Sequence, residues 1–279
     1  MNYICFEMEA KQLRLDDWVD DLQKRGLNSF SLSQAREAFK NISDDALTLS
    51  LARYSKKEKI VSILRGYYLI ISPKYAAMKV IPPANFIDAL MKSLNRPYYV
   101  GLLSAAALQG ASHQQPQEFF VFTDLPAMRP INKNGLKVNF LSLVHFPKDD
   151  FFEKIKTEVG YLNISQAPLT ALDLLYFESR IGGLSRAAVV LSELVENIKP
   201  THFTNKLLSA AKISTIQRLG YLFEEVLKRS DLADALYKYH EQVDVKFNKI
   251  KLDPSCESDG FTVNDKWKII VNSTIELDL

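Results

Sequence analysis

The chain has 279 residues, 47% hydrophobic and 24% charged, with a net charge of +2 at pH 7. These values exclude a disordered or fibrous chain, and at roughly 100–200 residues per domain the length predicts two domains, or three. The two cysteines, Cys5 and Cys256, lie at opposite ends without a CxxC pair, which argues against a disulfide framework or a zinc site of the usual spacing and fits a reducing compartment.

Met1 to Ala10 lacks the basic start and apolar run of a signal peptide. The longest mostly apolar stretch, Tyr98 to Ala111, falls short of the roughly 20 residues that cross a bilayer. A cytoplasmic protein is expected.

Residues 11–25 read as an amphipathic helix, with Leu13, Trp18, Val19 and Leu22 near helical spacing and Gly26 as the stop. A second short helix runs to Phe39, capped by Ser31 or Ser33, with Ala35, Ala38 and Phe39 inward. After the connector Lys40 to Ser43, Ser43 caps a third helix that opens with Asp44 and Asp45, acids favoured in a first turn by the helix dipole. Leu47, Leu51 and Tyr54 form its inner stripe. The period then changes: Ile60 to Leu64 and Tyr67 to Ile71 are strand-like and separated by Arg65-Gly66, the two-residue spacing of a hairpin. Helix, helix, short turn, helix and a hairpin with a basic tip is the plan of a winged helix-turn-helix. The same parts can also build a dimerisation or protein-docking module.

Lys74 to Pro83 reads as a linker closed by two prolines. The domains are expected at residues 1–80 and 81–279, the second subdivided near 166. In the second, helices are expected over Phe86 to Leu94 and Tyr98 to Leu108, and strands over Gln117 to Thr123, Leu136 to Val144 and Thr157 to Ile164. After Pro168 the pattern is helical: Leu169 to Ser179, Leu184 to Ile198, Phe203 to Ala211, Thr215 to Leu227 and Leu232 to Gln242. Strand character returns at Phe247 to Leu252 and Trp267 to Ile275. The fold class is α+β: a winged helix-turn-helix followed by a larger mixed α/β domain with a mainly helical second half.

Charge is unevenly distributed. Residues 31–79 hold nine Lys/Arg and four acids, whereas the 200 residues after them hold 22 basic and 23 acidic side chains. A short basic stretch on a near-neutral body suits a small module that meets a polyanion; a solvated basic face is the other reading. If the module binds DNA, the third helix lies in the major groove with its N-terminal half nearest the bases. Its outer face is expected to carry Ser43, Asp45, Thr48 and Ala52, with Leu49 beside them. Ser and Thr bond either kind of base edge, and Asp accepts from cytosine N4. Arg53, Lys56, Lys57 and Lys59 are placed for phosphates, as are Arg36 and Lys40 on the second helix. Arg65 at the hairpin tip is placed for the neighbouring backbone or the minor groove. Asp44 and Asp45 repel phosphates, so a modest affinity per monomer and a dimer on a repeated site are expected.

Catalytic signatures are absent: the chain has no GxxxxGK[ST], GxGxxG after a strand, GxSxG or HExxH. No Gly-Ser turn with paired aspartates suggests a nucleotidyltransferase. His113, His145, His202 and His240 are scattered and read as surface or packed residues. Asp173 and Glu178 are five apart, about 140° around a helix, so they do not form an acid–base pair. The polar turn Ser112-His113-Gln114-Gln115 reads as a loop anchor before a ligand site. No enzyme, metal or cofactor is expected.

Several blocks resemble the AbiEi family of transcriptional regulators, the antitoxin halves of type IV toxin–antitoxin pairs. They are Pro82 to Met91, Pro97 to Leu108 and Gly110 to Gln117, with Arg65-Gly66-Tyr67-Tyr68, Arg180 to Leu184, Arg218-Leu219-Gly220-Tyr221-Leu222 and Trp267 to Asn272. The resemblance implies an N-terminal winged helix-turn-helix that binds inverted repeats in its own promoter and represses the operon, and a C-terminal region that neutralises toxicity. It implies as functional partner a nucleotidyltransferase-like toxin of the AbiEii type, without a stable complex, in pairs that act against phage by abortive infection. A protein-docking scaffold, or a nuclease-like enzyme with a DNA-recognition domain, remains the alternative from the residues alone.

Overall fold

The computed structural model describes residues 14–75, 81–111, 116–147, 149–243, 246–275 and 277. Leu13 and the turn Ser112-His113-Gln114-Gln115 lie outside the described residues. The chain forms two compact units. The first comprises residues up to Arg96 together with Ile131–Leu136 and Lys156–Tyr161, and the second comprises the remainder.

The first unit opens with α1 (Leu15–Lys24), which buries Val19 and Leu22 and ends before Gly26, at φ 77°. A strand that periodicity did not predict follows, β1 (Ser29–Ser31). Three residues are too few to show an alternation, and Ser31 also reads as a helix cap. Indeed Ser31 does both: it ends β1 and caps α2 (Leu32–Ala38) in a reciprocal box, its Oγ accepting from the Gln34 backbone while the Gln34 side chain accepts from the Ser31 backbone. Next come α3 (Asp44–Lys56), capped by Ser43 Oγ accepting from Ala46 N, and the hairpin β2 (Ile60–Leu64) and β3 (Tyr67–Ile70). The three strands form an antiparallel sheet in the order β1-β3-β2.

The core of this unit joins Val19, Leu22, Phe30, Ala35, Phe39, Leu47, Leu51, Ile60 and Ile70. Trp18 meets Phe30 and Phe39 edge-on at 4.9 and 5.6 Å, the geometry that ring quadrupoles favour. The unit continues through α4 (Ile87–Ser93). Its segment 156–161 is tied down by Glu158, whose carboxylate accepts from Lys74 Nζ and Tyr75 Oη at 2.6 Å and from Asn85 Nδ2 at 3.1 Å.

The second unit begins with β4 (Tyr98–Val100) and α5 (Leu102–Leu108), where the sequence reading expects one helix. The stretch is apolar on every side, and periodicity does not separate a buried helix from a buried strand. Gly101 makes the break: a Cβ there would lie 2.4 Å from the Phe122 ring. There follow β5 (Phe119–Asp124), β6 (Ile131–Lys133, counted with the first unit), β7 (Leu136–Leu143), β8 (Phe152–Thr157) and β9 (Gly160–Ser165). The strand expected at Thr157 to Ile164 is thus β9, and β8, which periodicity did not predict, precedes it across the turn Glu158-Val159. Strands β7, β5, β4, β9 and β8 are neighbours in that order, with β5 parallel to β7, β4 antiparallel to β5 and β4 parallel to β9.

Helices then cover the sheet: α6 (Ala167–Tyr176), buried from Ala167 to Leu175, α7 (Glu178–Ile181), α8 (Leu184–Leu194), the short α9 (Asn205–Leu208), α10 (Ile213–Tyr221) and α11 (Ser230–Val243). A π-helical turn, Leu222–Val226, extends α10. The C-terminal strands β10 (Ile250–Lys251) and β12 (Ile269–Ile270) are shorter than expected, and with β11 (Val263–Asn264), which periodicity did not predict, they form a sheet of order β10-β12-β11.

Fully buried Trp267 locks this end of the unit. Its Nε1 donates to Glu224 Oε2 at 2.5 Å, and its ring lies where a Cβ on Gly220 would come within 2.1 to 2.6 Å of three ring carbons. Backbone and a buried indole cannot both yield, so Gly220→Ala is expected to destabilise by about 1–3 kcal/mol or more. Urea denaturation followed by Trp fluorescence measures it; an unchanged midpoint would show that the ring moves aside freely.

Candidate nucleic-acid interface

The residues expected at a DNA surface are Arg36, Lys40, Ser43, Asp45, Thr48, Leu49, Arg53, Lys56, Lys57, Lys59 and Arg65, and all are exposed. Their placement follows from the burial of Leu47 and Leu51 on the opposite side of α3, which turns Thr48, Leu49, Ala52 and Arg53 to solvent. Leu49 is 55% exposed, a large apolar side chain beside Thr48 and Ala52 on that face. Arg53 and Lys56 lie in the last turn of α3, where the helix dipole favours cations, and Lys57 and Lys59 precede β2. Arg65 is held out by the hairpin turn, where Gly66 takes φ 77°, open to glycine at little steric cost.

Two features go beyond the sequence reading. Arg36 Nη2 lies 3.0 Å from Asp44 Oδ2, so α2 and the start of α3 are bridged and the repulsive Asp44 is partly offset. The pair is exposed, which limits its contribution to about 0.2–1 kcal/mol. Lys133, exposed and donating from Nζ to the Ser62 carbonyl at 2.6 Å, adds a cation beside the hairpin. Its only sequence signal is the turn Asn134-Gly135 behind it, both at positive φ. Helix α1 carries Asp16, Asp17, Asp20 and Asp21, and Asp20 lines the same surface pocket as Lys57 and Lys59.

The carboxylates Asp173 and Glu178 serve separate partners. Asp173, buried in α6, accepts from Tyr99 Oη at 3.0 Å, and burial raises its pKa to about 8. Glu178 pairs with Arg218 Nη2; burial raises its pKa and the guanidinium opposes that shift. Among the described residues no three His, Cys, Asp or Glu side chains gather as metal ligands, and no helix is long and apolar enough to cross a membrane.

Comparison with known proteins bears on the second unit. Residues 99–225 match the family model described as the AbiEi antitoxin C-terminal domain. None of the curated proteins matches the sequence. The fold is similar to that of the RV2827C protein from Mycobacterium tuberculosis, known from its crystal structure. The TM-score is 0.62 at 13% sequence identity, covering 90% of this chain and 89% of that one, a likeness of fold alone. The matched region takes in the apolar β4–α5 segment, helices α6 to α10 and the Arg218–Gly220 segment, so this part of the chain is similar to the AbiEi antitoxin C-terminal domain.

Proposed function

We propose that this protein is a type IV antitoxin that also represses its own operon, with the first unit as a winged helix-turn-helix and residues 99–225 carrying the antitoxin activity. The observation that carries the repressor reading is the order α1-β1-α2-α3-β2-β3, with the sheet β1-β3-β2 and the outer face of α3 left exposed. Helix α3 enters the major groove; Ser43, Asp45, Thr48 and Leu49 face base edges, Leu49 offering apolar contact to a thymine methyl. Arg36, Lys40, Arg53, Lys56, Lys57 and Lys59 neutralise phosphates, and Arg65 reaches the adjacent backbone or minor groove. A dimer on an inverted repeat supplies the affinity that one modest interface lacks. The toxin counteracted is a nucleotidyltransferase-like protein of the AbiEii type, opposed without a stable complex; the antitoxin itself catalyses nothing and works in the cytoplasm.

The test is anisotropy titration of the DNA upstream of the gene at two salt concentrations, with unrelated DNA as competitor. Wild type is expected to bind specifically, and the affinity to fall steeply with salt. The triple change Lys56→Ala, Lys57→Ala, Arg65→Ala should weaken binding by more than tenfold and flatten the log–log salt slope by about 2.7, at roughly 0.9 per phosphate contact. These side chains are exposed, so the melting temperature should not move. Salt-independent binding, or a triple variant that binds like wild type, would overturn the repressor reading and favour a protein-docking module.

A further inference from the structure

The second unit contains a cavity of about 790 Å³ that none of the foregoing uses. It lies at the carboxyl end of β7 and is walled by α6, the residue after it and the segment from α9 into α10. The volume suits a ligand of small-molecule size. Most of the wall is apolar, but three kinds of side chain are out of place in a site meant only to be filled by grease.

The first is a pair of buried polar groups. Asp173 is 8% exposed, and its bond from Tyr99 Oη occupies one carboxyl oxygen. Ser142 Oγ is buried and has no hydrogen-bond partner among the described residues. An unsatisfied buried group is expensive, and a ligand with a hydrogen-bonding edge would give Ser142 Oγ the partner it lacks and present that edge to Asp173 as well. The second is a set of aromatic rings on the wall. Tyr176 is 45% exposed, and its ring meets that of Phe177 edge-on at 4.6 Å. The third is a cation beside those rings: Lys212 Nζ lies 4.6 Å from the Tyr176 centroid and has no ion-pair partner among the described residues. Lys206, also on the wall, is paired with Asp150.

A planar heterocycle with a hydrogen-bonding edge answers the buried polar groups and the exposed ring, and an anionic tail answers Lys212. An aliphatic ligand of the same volume would leave Ser142 Oγ without a partner. We propose that this cavity binds a free mononucleotide, with the base against Tyr176, its hydrogen-bonding edge toward Asp173 and Ser142, and its phosphate at Lys212. Base–aromatic contact of this kind tolerates any base, so the edge contacts set the preference among them.

Isothermal titration calorimetry of the full chain with AMP, GMP, CMP and UMP tests the site, with inorganic phosphate and a short single-stranded oligonucleotide as further probes. At least one mononucleotide is expected to bind saturably at one site per chain, and phosphate alone is not. Tyr176→Ala and Lys212→Ala, both changes at exposed side chains, should each weaken binding at least tenfold while leaving the circular dichroism spectrum and the melting temperature in place. Ser142→Ala should shift the order of preference among the four bases. The proposal is overturned if no mononucleotide saturates at millimolar concentration, if only the oligonucleotide binds, or if both single variants bind like wild type.

Discussion

Replacing Arg218 by alanine should lower stability by about 3–5 kcal/mol, the effect of removing one partner from a buried ion pair, against a total of about 5–15 kcal/mol for a typical domain. Arg218 is 7% exposed. Its Nε donates to the Leu252 carbonyl at 2.8 Å, Nη1 to the Leu175 carbonyl at 3.4 Å and Nη2 to the Glu178 carboxylate. One fork thus ties the end of α6, the start of α7 and the residue after β10 to α10. Alanine leaves two carbonyls and a carboxyl without donors. Burial already raises the pKa of Glu178 with the guanidinium beside it; without it the group moves further toward the neutral form, which caps the loss. Arg218→Lys should recover only part, because an ammonium lacks the planar fork. Arg218→Met with Glu178→Gln should be milder than Arg218→Ala alone, since no charge is then stranded. Urea denaturation of the four proteins decides it. A loss below about 1 kcal/mol for Arg218→Ala would mean that water enters and replaces the guanidinium, against the burial seen.

The elements legible in the sequence were those with a clear period or a clear stop. The pair Ser31 or Ser33 and the single Ser43 marked two helix starts, Gly26 an end and Arg65-Gly66 a hairpin, because capping and turn chemistry act within four residues. What stayed hidden depends on distant partners. Strand β1 exists because Ser29–Ser31 pairs with Tyr67–Leu69, a register that no local window contains. The stretch Tyr98 to Leu108 is uniformly apolar, and only the Phe122 ring against Gly101 explains where strand gives way to helix. The candidate DNA face was readable, since exposure on a short helix follows from its buried stripe. Lys133 was not, being remote in sequence from the hairpin it touches. The Arg218, Gly220 and Trp267 blocks stood out only through family resemblance; their physical sense, a buried fork and a ring seated on a bare backbone, appears when α10 and the C-terminal strands meet.

Asp173→Asn should make the protein more stable at neutral pH, by on the order of 3–4 kcal/mol, and remove a pH dependence that wild type carries. Burial raises the Asp173 pKa from 3.8 to about 8 in the folded state, so the fold holds a neutral acid where the unfolded chain holds a carboxylate. Between those two values the unfolded state binds fewer protons than the folded state, and stability falls as pH rises, by up to about 1.4 kcal/mol per unit. The contribution is fully present below the unfolded value and is lost as pH rises through about 8. Asparagine is neutral throughout; its carbonyl still accepts from Tyr99 Oη, and its amide faces the cavity that Asp173 lines. Melting temperatures of both proteins from pH 4.5 to 8.5 should therefore diverge, the variant gaining on wild type toward alkaline pH. Parallel curves would show that Asp173 is ionised in the fold and that the neutral acid is wrong. Divergent curves would show a chain that keeps a buried carboxyl at the expense of stability, as a binding site does when it needs that group for a ligand.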